Sequence, residues 1–92
     1  MTQKETKKNP SKDFREEVID ENFLILHNDE VHTFDYVIDA LIDVCKHGYE
    51  QATQCTLMVH YKGKCDIKKG SFDALKPMKD ALIDRELNAT ID

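Results

Sequence analysis

Between Phe23 and Leu26 four apolar residues stand together, and the turn-forming Asn28 and Asp29 close the run, which suits a buried strand better than a short helix. After Thr33 the period changes. Phe34, Val37, Ile38, Leu41, Val44 and Cys45 recur at steps of three and four, with Thr33 as N-cap and Asp35 in the first turn, so an amphipathic helix is predicted that ends at Gly48. A second helix is predicted from about Tyr49 to Tyr61, with Ala52, Cys55, Thr56 and Val59 on one face and Gly63 placed for a left-handed terminus. His60 lies four residues after Thr56 and projects to the same side. Lys64 to Lys68 alternates strictly, Cys65 and Ile67 facing one way and the charges the other, as a half-buried strand does.

Ser71 caps a third helical pattern through Ala74, Leu75, Met78 and Leu82, with Pro77 inside it, so that helix either kinks or starts at Pro77. Leu87, Ala89 and Ile91 then alternate with polar residues in a last strand. The order β-α-α-β-α-β predicts a two-layer α+β domain, a small three-stranded antiparallel sheet packed against three helices. Residues 1–20 hold few apolar side chains, five bases (Lys4, Lys7, Lys8, Lys12, Arg15) and five acids (Glu5, Asp13, Glu16, Glu17, Asp20). Such a segment cannot offset its ordering entropy by burial, so a flexible N-terminal extension is expected, followed by a folded domain at 21–92.

Composition narrows the functional classes. A chain of 92 residues is one domain at most and buries roughly 60–65% of its unfolded surface, which disfavours a deep enclosed active site. The net charge of -5 falls entirely on the part after residue 20, and an acidic body lacks the clustered Lys and Arg that a phosphate backbone requires. Nucleic acid is therefore not an expected partner. The apolar run at Phe23 is far too short to span a bilayer and no apolar leader follows Met1, so a soluble cytoplasmic protein is expected. Cys45, Cys55 and Cys65 make an odd count without a C-x-x-C pair, which fits reduced thiols.

Two polar segments carry the candidate chemistry: Asn28-Asp29-Glu30 after the first strand, and the stretch from Val59 to Lys64 around His60. An amide, a carboxylate and an imidazole can all accept hydrogen bonds, a set that suits an ammonium group better than a phosphate. Taken singly, Asn28-Asp29 is also an ordinary turn, His60 an ordinary residue near a helix end, and Phe34, Val37, Thr56 and Val59 ordinary helix packing. The four His and three Cys show no zinc-ligand spacing such as C-x-x-C or H-E-x-x-H, so neither a metal nor a cofactor is expected.

Four segments in order, Leu26-His27-Asn28-Asp29-Glu30, Phe34-Asp35-Tyr36-Val37-Ile38-Asp39, Glu50-Gln51-Ala52-Thr53-Gln54 and Val59-His60-Tyr61-Lys62-Gly63-Lys64, resemble the ClpS family over about 70 residues. These proteins are adaptors that select substrates for an ATP-driven protease, and the β-α-α-β-α-β order agrees with their fold. The resemblance implies a non-enzymatic adaptor, monomeric and cytoplasmic, that binds proteins with a bulky apolar first residue (an N-degron) and delivers them to a ClpA- or ClpC-like AAA+ unfoldase of the Clp protease. It implies that Asn28, Asp29 and His60, the last as neutral imidazole, surround the ligand's α-ammonium, and that Phe34, Val37, Thr56, Val59 and Leu87 line a pocket for its side chain. It also implies that the N-terminal extension is presented to the unfoldase.

Phe34 stands where Met is frequent in the family, Val31-His32-Thr33 replaces an aromatic-Thr-Pro run, and Thr56 takes a position that is often Met. The rival expectation is a small α+β interaction module without first-residue specificity, similar in fold to the C-terminal domain of the ribosomal stalk protein.

Overall fold

The computed structural model describes residues 21–92, so the expectation of a flexible extension at 1–20 lies outside the described residues. The element order is β1 (Asn22–His27), α1 (Phe34–Cys45), α2 (Tyr49–Lys62), β2 (Lys64–Gly70), α3 (Phe72–Asp84) and β3 (Asn88–Ile91). β1 is central, antiparallel to β2 on one side and to β3 on the other. α2 packs on β2, α3 packs on β3, and α1 rests against both helices. Leu24, Leu26, Leu41, Leu75 and Leu82 are the largest side chains sealed in the core these elements share. This is the α+β fold that the hydrophobic pattern predicts.

Each helix is stopped and started by local chemistry. Thr33 accepts from the Tyr36 N–H at 3.2 Å to cap α1, and Ser71 accepts from the Ala74 N–H at 3.1 Å to cap α3. α2 begins at Gly48 without a side-chain cap and ends at Gly63, whose φ of 91° lies in the left-handed region that residues with a Cβ avoid. The turn at Gly63 fixes the site: its N–H donates to Val59 O, and its carbonyl accepts the N–H of Asn28, both at 2.9 Å. The loop after β1 is thereby fastened to the end of α2.

Three details differ from the sequence reading. α3 starts at the Ser71 cap and runs on through Pro77, an exposed residue in its second turn that leaves Asp73 O without its usual helical donor. Strict alternation in β2 fails at a bulge, where Leu24 pairs with Lys68 and Ile25 with Asp66, leaving Ile67 as the extra residue. Ile67 is still buried, and Lys68, expected to face outward, instead sends its ammonium to the Cys45 carbonyl at 3.2 Å, satisfying an orphan acceptor at the end of α1. Leu87, expected in the last strand, precedes it and belongs to the turn that ends α3, with its N–H on Leu82 O.

Candidate functional site

A cavity of about 50 Å³ opens where the loop after β1, the start of α1, the last turns of α2 and the turn before β3 converge. Asn28, Asp29 and His60 stand on its lining with Phe34, Val37, Thr56, Val59 and Leu87, so residues far apart in the chain share one space. The cavity is apolar on the helix side. Val59 and Leu87 are buried, Val37 is half-buried, and Thr56 donates its hydroxyl to Ala52 O at 2.8 Å within α2. That bond commits the polar end of Thr56 to the helix and leaves its methyl for the wall, so the residue that looked anomalous in sequence behaves as an apolar one.

The rim is polar and partly exposed. Asp29 takes the Val31 and His32 N–H groups on one oxygen at 2.9 and 3.0 Å, an Asx-type turn that aims the carboxylate. The His32 ring nitrogen Nδ1 lies 3.1 Å from the other oxygen. Burial, the largest single influence, raises the Asp29 pKa, but the backbone donors of His32 and Val31 and the His32 side chain outweigh it and bring the carboxyl below its ordinary value. The group is thus held as a carboxylate facing a small, half-sheltered space. His60 is exposed in the last turn of α2 and meets the edge of Phe34, ring centroids 5.2 Å apart. Phe34, 40% exposed, therefore leans over the mouth beside the imidazole.

Leu26, His27 and His32 also line the cavity, and sequence reasoning did not place them there. His27 is tied to Thr90 across the sheet at 2.8 Å, which holds the base of the site. His32 stacks on Tyr36 with centroids 4.6 Å apart, and the Tyr36 hydroxyl donates to Arg85 O at 2.7 Å. The signal for His32 was present: a side chain three residues after an Asx turn returns to its carboxylate.

The remaining histidine and the thiols lie elsewhere. His47 is buried and donates from Nε2 to the Ile67 carbonyl at 2.7 Å. Burial pushes the Cys65 thiol up to about 12, with neighbouring Cys55 and Asp66 adding to it, and burial likewise raises Cys45 and Cys55. Thiols held protonated make poor nucleophiles and poor metal ligands. Among the described residues no group of three or more His, Cys, Asp or Glu side chains could hold a metal ion, and no helix is long and apolar enough to cross a membrane.

The family model for the ATP-dependent Clp protease adaptor protein ClpS matches residues 20–90. The curated ATP-dependent Clp protease adapter protein ClpS of Oleidesulfovibrio alaskensis is 42% identical over 40 residues, which cover 44% of this chain and 38% of that relative. The chain therefore spans well under half the length of this relative. Among solved structures, Agrobacterium tumefaciens ClpS2 bound to L-phenylalaninamide superposes with a TM-score of 0.73 at 18% identity, over 79% of this chain and 95% of that one. That likeness is one of fold. With a family model covering all but the last two of the described residues, the chain belongs to the ClpS family of ATP-dependent Clp protease adaptors.

Proposed function

We propose that the cavity receives the first residue of a protein substrate, its α-ammonium at the rim and its bulky apolar side chain inside, and that the chain delivers such substrates to a ClpA- or ClpC-type unfoldase of the Clp protease. The observation that carries this reading is the meeting of Asn28, Asp29 and His60 at the mouth of an apolar cavity. A carboxylate aimed by two backbone N–H groups attracts a cation, and the exposed Asn28 amide and His60 imidazole add acceptors around it. An internal residue has no α-ammonium beside its side chain to offer there, so the rim and the cavity together select for a chain end. ClpS2, of the same fold, binds L-phenylalaninamide, which carries a free α-amine and an apolar side chain. Nothing in this role requires catalysis, nucleic acid, a membrane or a cofactor, and a cytoplasmic monomer suffices for it.

Cavity size bears on the ranking of first residues. Roughly 150 Å³ accommodates a benzene ring, whereas this cavity holds about 50 Å³ with Phe34 at its mouth. All four bulky residues need the mouth at Phe34 to open, Leu the least and Phe, Tyr or Trp more. The test is a titration with peptides that differ only in residue one. Leu, Phe, Tyr and Trp should bind, Leu with the least rearrangement, while Ala and Asp should not. Equal binding across the panel would instead favour an interaction module without first-residue specificity.

A further inference from the structure

The two oxygens of the Asp29 carboxylate are not held alike. Oδ1 accepts the Val31 and His32 N–H groups at 2.9 and 3.0 Å, and the His32 Nδ1 lies 3.2 Å from it. Oδ2 has one partner among the described residues, the same Nδ1 at 3.1 Å. A carboxylate only accepts, so Nδ1 carries the proton and shares it between both oxygens. The terminal torsion of an Asp side chain is broad, and donors on one oxygen leave the other free to swing about it. A donor that spans both oxygens fixes the plane.

The imidazole is itself braced. It stacks on Tyr36 with centroids 4.6 Å apart and planes 20° from parallel, and the Tyr36 hydroxyl donates to Arg85 O at 2.7 Å. Arg85 ends α3 and returns its guanidinium to Asp43 of α1 at 3.3 Å, so the carbonyl that receives Tyr36 is fastened from both sides. A side chain of the rim is thereby tied through two rings to the end of α3. His32 is 13% exposed against 26% for Asp29, which leaves the carboxylate as the more accessible member of the pair. Both rings lie where this chain differs or adds a hydroxyl: His32 belongs to the run Val31-His32-Thr33, which departs from the family's pattern.

We propose that His32 is a positioning residue for ligand binding: its Nδ1–H locks the plane of the Asp29 carboxylate so that Oδ2 stays turned to an incoming α-ammonium, with Tyr36 holding the ring in place. The inference rests on the reading of the cavity as an α-ammonium site. His32 itself does not touch the ligand's cation in this arrangement, since a donor cannot accept from it. Its contribution is to spare the ligand the ordering of a mobile carboxylate, a cost that otherwise falls on the binding step. Tyr36 acts one step further back, through the ring it stacks on.

The test titrates one peptide, Leu-Ala-Ala with a neutral tail, against variants of the full chain whose folding is checked by thermal melting. His32→Leu should weaken binding about fivefold, the scale of one net hydrogen bond. His32→Asn, whose amide nitrogen takes the place of Nδ1, should restore affinity to within about twofold, whereas His32→Gln, whose amide reaches the place of Nε2, should not. Tyr36→Phe keeps the stack, loses the hydroxyl and should cost less than His32→Leu. In the Asp29→Ala background His32→Leu should weaken binding no further, because its action passes through the carboxylate, a coupling that a merely structural role does not produce. Unchanged affinity in His32→Leu, equal affinities of the Asn and Gln variants, or a loss that persists on Asp29→Ala overturns the positioning role, while binding by the natural chain keeps the α-ammonium site. Should His32→Leu not fold, the comparison of the Asn and Gln variants decides. Failure of the natural chain to bind Leu-Ala-Ala overturns both readings.

Discussion

His47 and His60 sit near the two ends of α2, about 20 Å apart by helix geometry, and the regions around them divide the work of the domain. Around His47 everything is closed. The ring is 4% exposed, Nε2 is spent on the Ile67 carbonyl, Nδ1 is buried without a partner among the described residues, and Lys68 seals the end of α1 at Cys45. Around His60 the backbone is equally well fastened, through Gly63 and Asn28, but the polar side chains are left facing outward. A histidine whose bond is made inside the fold serves stability. One held beside a carboxylate and an amide, open to solvent, is available to a ligand.

The largest expected effect breaks the closed end. His47→Ala removes a packed ring and leaves the Ile67 carbonyl unpaired, which should cost about 2–4 kcal/mol of unfolding free energy in urea titrations. Peptide affinity of the protein that remains folded should not change. The open end should answer in the opposite way. Asp29→Ala removes a charged acceptor worth about 1.5–3 kcal/mol and should weaken a Leu-initiated peptide ten- to a hundredfold, with His60→Ala weakening it about tenfold. Neither should cost much more than about 1 kcal/mol of stability, a loss expected for Asp29 because it caps its own loop.

Gly63→Ala tests the link that holds the open end in place. A Cβ there meets no neighbour, so its cost comes from the left-handed backbone alone, about 1–2 kcal/mol. Because the Gly63 carbonyl anchors Asn28, affinity should fall along with stability, whereas a substitution at the exposed Gly48 should leave affinity alone.

The smallest effect is one of pH. The Asp29 pKa is lower in the folded chain than the ordinary value of 3.8, so its carboxylate contributes stability that is complete above that value. The contribution is lost as pH falls through the lowered folded value, a window below about pH 4, and Asp29→Asn should remove this part of the acid transition in denaturant titrations.

The hydrophobic pattern was enough to place six elements, because the α1 stripe, the apolar run of β1 and the capping residues Thr33 and Ser71 act locally. It failed where long-range pairing decides. The bulge at Ile67 depends on what lies opposite in β1, and Pro77 is tolerated because Ser71 had already fixed the helix start and the residue is exposed. The site was less legible. Asn28 and His60 are far apart in the chain, and no periodicity joins them; four ordered segments resembling one family suggested their meeting, and the Asn28 to Gly63 hydrogen bond is its physical cause. Thr56 misled by its hydroxyl, which the helix absorbs.

The central claim is that the open end reads a free α-ammonium. Calorimetric titration of one Leu-initiated peptide against its N-acetylated twin isolates that single charge, since the apolar side chain and the rest of the peptide are identical. The free peptide should bind with a Kd of micromolar order, about 8 kcal/mol, and the acetylated one should show no measurable heat of binding. Equal affinity for the two would contradict the assignment of Asn28, Asp29 and His60.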